Sequence, residues 1–375
     1  MLTQPAFSDY FFSNWQIETG TATERLFFDT PLRLVWGGTE AVTLFYVLSG
    51  LVLALPWVEG RPPAYLAYAI KRICRLYLPY CAAVAIAAVL AVWLHPDASV
   101  IGLSDWVNTM NWTQDVTPSV ILDHAVMLGH KNMLNGVIHT LIWEMRVSLI
   151  FPFLIVPIIR WRIRGAIAVT LVLLAIVFGL QVIYGGTASP LNLLEWRPGL
   201  SLGGHVAIEA QWTVYYCTLF VFGSSVALYI RQLRQCSAKI SGLLLAAGLL
   251  TFQGHWSQQH VIQEYMIAIG AILIIVSALP AGPIHYALSH PWLRWMSWIS
   301  FSLYLTHVPL LLASIIVLHA FLPIPAILIG VMVASLALAW LFNAWVVEPS
   351  ARLGKVLAHA KTGFMRITPP RSVKT

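Results

Sequence analysis

Residues 139–152 read HTLIWEMRVSLIFP, and this stretch decides which kind of fold the chain adopts. Glu144 and Arg146 stand among leucine, isoleucine, tryptophan and phenylalanine, in an apolar run that extends to residue 159. A helix of about 20 apolar residues is long enough to cross the hydrocarbon core of a bilayer. Ionisable side chains at that depth are costly and usually functional, so the stretch predicts a membrane helix that carries part of a site.

The composition extends this interpretation to the whole chain. Among 375 residues, 59% are hydrophobic and 10% are charged, whereas soluble domains contain about 25% charged residues. Apolar runs that could span a membrane occupy residues 41–58, 73–94, 139–159, 166–184, 213–230, 240–254, 262–280, 299–319 and 325–347, of which 240–254 is short. We therefore expect an all-α membrane protein, a polytopic bundle of about nine transmembrane helices.

The basic residues indicate how these helices are oriented. A net charge of +7 could fit a nucleic-acid partner, but membrane proteins concentrate lysine and arginine in their cytoplasmic connections, so no nucleic acid is expected. Most of the 22 basic residues fall in alternate connections, around residues 61–75, 160–164, 231–239 and 294, and in the tail after residue 347. This alternation predicts a cytoplasmic C-terminus and an external residue-1 end.

An external residue-1 end predicts a further helix before Met1. Residues 1–40 lack the basic n-region, the apolar h-region and the small-residue cleavage site of a signal peptide. The alternative is that this polar segment crosses the membrane unaided.

Cysteine and histidine spacing predicts neither a disulfide framework nor a metal site. The four cysteines are scattered without a CxxC or Cys/His pattern, so free thiols are expected. Histidines stand five apart at 255 and 260 and at 285 and 290, which is not the spacing of ligands on one helix, and no metal is assigned.

The opening stretch carries a polar stripe. Thr140, Glu144 and Ser148 follow one another at i, i+4 and i+8, so they share one face of a helix, while Arg146 points roughly the opposite way. Each charge then needs a partner on another helix or a water-filled cavity. The functional interpretation is a polar path lined by these residues, and the alternative is an interhelical salt bridge that only holds the bundle together.

The stretch YAIKRICRLYLPYCA, residues 68–82, places Arg72 and Arg75 on one face at the expected cytoplasmic mouth of the second helix. Arginine clusters suit phosphorylated ligands because the guanidinium binds phosphate oxygens in a bidentate manner. The alternative is that both side chains, with Lys71, extend to the membrane surface and set the topology.

Two further stretches carry candidate residues. SFSLYLTHVPLLL, residues 300–312, places Tyr304 and His307 on one face of a span, and histidine is the usual general base near neutral pH. The alternative is a histidine that only packs in the bundle. GGTEAVTLFYVLSGLVL, residues 37–53, places Ser49 beside Gly50, where it could line the path or allow close helix approach.

Two predicted external loops, 95–138 and 185–212, are long enough to be functional. Tryptophans 106, 112, 196 and 212 stand in or beside them. These rings could form a surface on which sugars stack, or they could belong to the interfacial aromatic belt of the membrane.

Taken in order, these segments resemble the acyltransferase 3 family of integral membrane acyltransferases. VTLFYVLSGLVL is similar to its dlFFvLSGfll segment, IKRICRLYLPY to its rRl.Ri.P.Y, TLIWEMRVSLIFP to its SL..E..fyl..P, SFSLYLTHVPL to its SYslYLiHfp, and WVVEPSARLGKVL to its closing vE.P...lgk. The similarity extends from about residue 34 to 357. We therefore expect one acyltransferase 3-like transmembrane domain over residues 1–357 and a basic cytoplasmic tail over 358–375.

The resemblance implies a donor, normally acetyl-CoA, that binds from the cytoplasm as a substrate and not as a permanent cofactor. Its acyl group passes to a hydroxyl of a sugar or surface glycan at the membrane. Arg72 and Arg75 would then contact the phosphates of acyl-CoA, and Glu144, Tyr304 and His307 would line the polar path.

The chain departs from the family at two positions. The family's first helix ends with a histidine regarded as catalytic, shortly before the FFvLSG segment, and no histidine precedes Leu34 here. His139 stands where the family usually has tryptophan and could act as a substitute base.

The sequence thus predicts an O-acyltransferase of the bacterial inner membrane. His307 is the expected base, Tyr304 its hydrogen-bond partner, and Glu144 an orienting group or second acid/base. The alternative is a transporter or flippase that relays protons through buried Glu, Arg and His, although the sequence shows no internal repeat of the kind found in many transporters. A scaffold without an active site is a third option if the first helix is absent.

Overall fold

The structure is a computed structural model that describes residues 37–95, 112, 115–128, 134–184, 202–253 and 260–364. In these ranges every regular element is a helix. The α-helices are α1 (Gly38–Val58), α2 (Tyr65–Leu94), α3 (Pro118–Ala125), α4 (His139–Trp161), α5 (Ile163–Tyr184), α6 (Leu202–Leu228), α7 (Ile230–Leu233), α8 (Ala238–Phe252), α9 (His260–Ala278), α10 (Pro283–Leu288), α11 (Pro291–Leu318), α12 (Ile324–Phe342) and α13 (Glu348–Phe364). A π-helical turn, Asn343–Val347, joins α12 to α13.

Each of the nine predicted apolar runs coincides with a helix. Six helical segments of the described chain are long and apolar enough to cross a membrane, namely Glu40–Val58, Tyr65–Leu94, His139–Trp161, Ile163–Leu180, Pro291–Leu318 and Ile324–His359. Ala238–Phe252 and Ile262–Ala278 are shorter apolar helices. The predicted all-α, polytopic membrane fold is confirmed.

Three predicted boundaries are wrong in the same direction, including that of α11, which begins at Pro291 and not at residue 299. The second span was expected from residue 73, but α2 begins at Tyr65. The fifth was expected from residue 213, but α6 begins at Leu202. Hydropathy treats charged and amide side chains as loop residues, whereas a helix continues through them when those side chains are exposed or have partners. Arg72 therefore lies about two turns inside α2 and not at its mouth.

The described residues form two compact units. The first comprises 37–61, 150–253 and 260–295, and the second comprises 62–95, 112–149 and 296–364, with the gaps given above. The predicted division between 357 and 358 falls inside α13, and the single-domain assignment remains a prediction.

In the first unit, α1 packs on α6 through two glycines. A Cβ atom on Gly223 would lie 2.6 Å from the backbone nitrogen of Leu51, and one on Gly50 would lie 2.7 Å from the carbonyl carbon of Phe220. Backbone contact of this kind is how membrane helices gain packing energy where burial of apolar surface provides no driving force. The aromatic rings of Tyr46 and Tyr216 stack across the same contact, with centroids 4.0 Å apart.

In the second unit, α13 packs on α2 by a face of small residues. Ser350, Gly354 and Ala358 are buried at i, i+4 and i+8. A Cβ on Gly354 would lie 2.8 Å from the Cβ of Cys74 and 3.3 Å from the Cα of Lys71. α13 therefore supports the turn of α2 that also carries Arg72.

Candidate active site

Glu144 faces another helix, as the polar stripe predicts. Its side chain is 3% exposed, and its Oε1 atom lies 3.7 Å from Nη2 of Arg72 on α2, whose side chain is 12% exposed. The partner that a membrane-buried carboxylate requires is therefore a guanidinium from the second helix. The prediction that Arg72 lies at the mouth of the second helix is wrong, because α2 begins two turns earlier than hydropathy indicates and Arg72 lies inside it, beside Glu144.

The two arginines that share the Arg-x-x-Arg spacing have different surroundings. Arg72 is mostly buried against Glu144, whereas Arg75 and Lys71 are exposed. Arg75 forms no ion pair with any residue that the structure describes. The arrangement leaves an exposed cation next to a buried, paired one.

Arg146 points away from Glu144, as the helical geometry predicts. Its Nη2 atom donates hydrogen bonds to the carbonyl oxygens of Met127, at 3.0 Å, and Leu128, at 2.8 Å. These carbonyls end α3 in a Schellman motif, in which the Met127 N–H donates to His124 O, the Leu128 N–H donates to Asp123 O, and Met127 has φ = 52°. Arg146 therefore bonds the end of α3 to α4 and does not line the polar face, as a path-lining residue would.

Tyr304 connects α11 to the start of α4. Its hydroxyl donates to the carbonyl oxygen of Val137 and contacts the hydroxyl of Thr140. The expected hydrogen bond from Tyr304 to His307 is therefore wrong: the tyrosine hydroxyl bonds the backbone of Val137, in the turn that precedes α4. The contact between Tyr304 and Thr140 shows where the polar faces of α11 and α4 meet. Thr140 is one turn from Glu144, and Tyr304 is one turn from His307.

The bonding of His307 determines which ring nitrogen carries its lone pair. Nδ1 lies 2.9 Å from the carbonyl oxygen of Leu303 and 3.0 Å from that of Tyr304. Carbonyl oxygens can only accept hydrogen bonds, so Nδ1 carries the proton of the neutral imidazole. The lone pair is then on Nε2, the nitrogen that can take a proton from a reacting hydroxyl.

Several buried polar atoms in this part of the second unit lack a hydrogen-bond partner among the described residues. They are Nε of Arg72, Oε2 of Glu144, Oγ of Ser148, Nδ1 of His139 and Oδ1 of Asn135. An unsatisfied buried donor or acceptor costs about 1–3 kcal/mol, and more when it is charged. Their concentration around the first turns of α4 indicates a region built to receive a polar ligand or water.

Other predicted residues lie elsewhere. Ser49 is half-buried in the first unit, and its neighbour Gly50 makes the backbone contact with α6, so the interpretation as a helix-packing position is favoured. Trp112 is buried and donates its indole N–H to Leu134 O at 3.0 Å, which makes it a core residue and not an exposed sugar platform. Trp212 stacks on Tyr216 within the first unit, with centroids 5.6 Å apart. Tryptophans 106 and 196 lie outside the described residues.

Sequence reasoning missed two residues at this site. Tyr68 donates its hydroxyl to Ser148 O at 2.8 Å, and Asn135 donates from Nδ2 to Leu305 O at 2.9 Å. The signal that could have found these acceptors is a proline four residues later in each helix, Pro152 and Pro309, because proline has no N–H to bond the earlier carbonyl.

The comparisons with known proteins bear on what chemistry this arrangement serves. The model of the acyltransferase domain family matches residues 6–344, which includes every helix from α1 to α12. No curated protein and no solved structure matches the chain. A match over most of the chain, together with the membrane-spanning helices, makes this protein a membrane acyltransferase that belongs to the acyltransferase 3 family.

Proposed function

We propose that the protein is an O-acyltransferase of the bacterial inner membrane that transfers an acetyl group from acetyl-CoA to a hydroxyl of a sugar or surface glycan. The observation that carries the proposal is the bonding of His307. Two carbonyl oxygens hold Nδ1 as the proton donor, which leaves Nε2 as a base within the family's membrane domain. A hydroxyl does not attack a thioester readily at neutral pH, so a base of this kind is what the reaction requires.

The proposed reaction proceeds by direct transfer. The acceptor hydroxyl oxygen forms a bond to the thioester carbonyl carbon while its proton moves to Nε2 of His307. The carbon–sulfur bond then breaks, and the imidazolium returns the proton to the departing thiolate. The products are the O-acetyl ester and free coenzyme A, and His307 regains its starting state.

The arginines supply the expected donor site. Arg75 is exposed and would contact the phosphates of acyl-CoA, while the Arg72 guanidinium lies 3.7 Å from Oε1 of Glu144. Glu144 would hold Arg72 in place and orient the polar groups on its face of α4. The acceptor's hydroxyls would satisfy acceptors such as Oε2 of Glu144.

The test uses membranes that contain the full chain, radiolabelled acetyl-CoA and a panel of candidate glycans. We expect labelled ester with wild type and a loss of at least about a hundredfold in His307→Ala, the range that general-base removal produces. His319→Ala is the matched control, because His319 also bonds two carbonyls of its own chain segment through Nδ1, at 2.9 and 3.1 Å, but stands three turns further along.

Near-normal turnover by His307→Ala would remove His307 from the mechanism. Absence of label transfer by wild type, with accumulation of a solute in sealed vesicles, would instead support the transporter.

A further inference from the structure

Of the four prolines inside α2, α4 and α11, two interrupt the backbone bonding next to the site residues. Pro152 lies within α4 and Pro309 within α11. A proline has no N–H, so the carbonyl four residues earlier, here that of Ser148 or Leu305, cannot receive its usual helical hydrogen bond. In a membrane-spanning helix water is not at hand to replace that bond, so a protein group must.

In both cases the replacement comes from a different segment of the chain. The Tyr68 hydroxyl on α2 donates to Ser148 O at 2.8 Å, and the Asn135 amide before α4 donates to Leu305 O at 2.9 Å. Both donor side chains are buried. Each bond therefore joins two elements of the second unit at a point where the proline has opened the helix.

These two hydrogen bonds lie next to the proposed reacting groups. Tyr68 is one turn from Arg72 and Ser148 is one turn from Glu144, so the Tyr68 bond lies beside the ion pair between the same two helices. Leu305 is adjacent to Tyr304 and two residues before His307. The Asn135 bond thus holds the turn of α11 that carries the base.

We propose that Tyr68 and Asn135 are positioning residues of the acyl-transfer site, which use carbonyls released by Pro152 and Pro309 to fix α2 and α11 against α4. This inference rests on the proposed function, because it assigns donor binding to α2 and the base to α11. The competing explanation is that each side chain merely satisfies a carbonyl that proline has left unbonded, and so contributes to stability alone.

The first experiment measures steady-state kinetics of full-length Tyr68→Phe and Asn135→Ala in membranes. Tyr68→Phe removes the hydroxyl that bonds Ser148 O and so loosens α2, which carries the donor site. We therefore expect KM for acetyl-CoA to rise about tenfold while kcat changes less than about threefold. Asn135→Ala frees the turn that carries His307, so kcat should fall about tenfold to a hundredfold with little change in that KM, since small misplacements of reacting groups have effects of this size.

Matched controls remove similar groups elsewhere in the second unit. Tyr80 is also a buried tyrosine of α2, and its hydroxyl lies 3.2 Å from His124 O. Asn343 is a second buried asparagine, which accepts a hydrogen bond from Ser302 at 3.3 Å. Tyr80→Phe and Asn343→Ala should retain kcat and KM within about twofold.

The second experiment returns the missing N–H. Pro309→Ala gives Leu305 O a helical donor again, and Pro152→Ala does the same for Ser148 O. In Asn135→Ala/Pro309→Ala and Tyr68→Phe/Pro152→Ala we expect thermal stability to recover relative to the single Asn135 and Tyr68 variants, while the kinetic defects persist. Recovery of kcat and KM in the doubles, or single variants that lose stability with unchanged kinetics, would overturn the proposal.

A third measurement does not depend on activity. The starting protein is a variant without the four native cysteines that carries Thr140→Cys and Tyr304→Cys. A short bis-maleimide cross-links the two introduced thiols, and we expect the added substitution Asn135→Ala to slow the rate of cross-linking several-fold. Equal rates would overturn the role of Asn135. If wild type transfers no acetyl group yet Asn135→Ala slows linking, the proposed function fails and the positioning role stands.

Discussion

At the scale of single residues, the Arg72–Glu144 contact does not have the geometry of a pair that serves stability alone. Its 3.7 Å separation is long for a buried pair, and Nε of Arg72 and Oε2 of Glu144 have no hydrogen-bond partner among the described residues. A buried ion pair compensates for the loss of water only when its geometry is good and its remaining atoms are bonded. The unsatisfied atoms favour a site over a bundle-holding salt bridge.

This geometry predicts how substitutions combine. Arg72→Met or Glu144→Gln alone leaves an uncompensated buried charge, which should lower the free energy of unfolding by about 3–5 kcal/mol. The double variant Arg72→Met/Glu144→Gln should recover most of that loss in the free energy of unfolding. We expect neither the single variants nor the double variant to transfer an acetyl group. Unfolding of the purified protein in mixed micelles measures the first effect, and labelled acetyl-CoA measures the second.

The exposed pair between Arg352 and Glu348 is the control for that series. It is shorter, at 2.8 Å, but its side chains are 75% and 36% exposed. Arg352→Met should therefore change the free energy of unfolding by no more than about 1 kcal/mol. Additive losses in the Arg72/Glu144 double variant would contradict the coupling of that pair.

At the scale of elements, glycines set the distance between α1 and α6. Gly223→Ala would place a methyl group against the carbonyl of Val47 and 2.6 Å from Leu51 N, so the helices must separate. We expect the free energy of unfolding to fall by about 1–3 kcal/mol, as overpacking does. Thermal unfolding in detergent measures the effect.

A glycine without neighbours is the control for this contact. Nothing described lies within 4 Å of a Cβ built on Gly179 in α5. Gly179→Ala should leave the protein equally stable or stabilise it by up to about 1 kcal/mol, since alanine favours the helix. Equal effects at positions 223 and 179 would contradict the packing role of Gly223.

At the scale of the whole molecule, the alternation of basic connections predicts which ends of the helices face the cytoplasm. Cys236 lies between α7 and α8, close in sequence to Arg231, Arg234 and Lys239, and is half-buried. In sealed, right-side-out vesicles we expect Cys236 to react with a membrane-permeant maleimide but not with an impermeant one. Variant Cys236→Ser identifies its signal against Cys81, which is also half-buried, and against the buried Cys74 and Cys217.

A C-terminal fusion tests the same orientation independently. Green fluorescent protein attached after Thr375 should fluoresce, because the tail is expected in the cytoplasm, whereas alkaline phosphatase at that position should be inactive. An active phosphatase fusion would reverse the predicted topology.

The membrane class, the positions of the nine apolar helices and the polar stripe on α4 could be predicted from the sequence, because each depends on local composition or on the 3.6-residue period. The boundaries of α2 and α6 could not, since hydropathy cannot distinguish a charged loop residue from one that has a partner. The partner of Tyr304 could not either, because it depends on which helix packs beside α11.

Consecutive residues are therefore enough to identify a helical membrane protein with motifs of the acyltransferase 3 family, since hydrophobic length and motif spacing are local properties of the chain. Helix packing, in contrast, determines that Arg72 pairs with Glu144 and that Tyr68 and Asn135 bond the carbonyls released by proline. Each of these is a contact between atoms distant in the chain, and helix packing brings such atoms together independently of any local pattern.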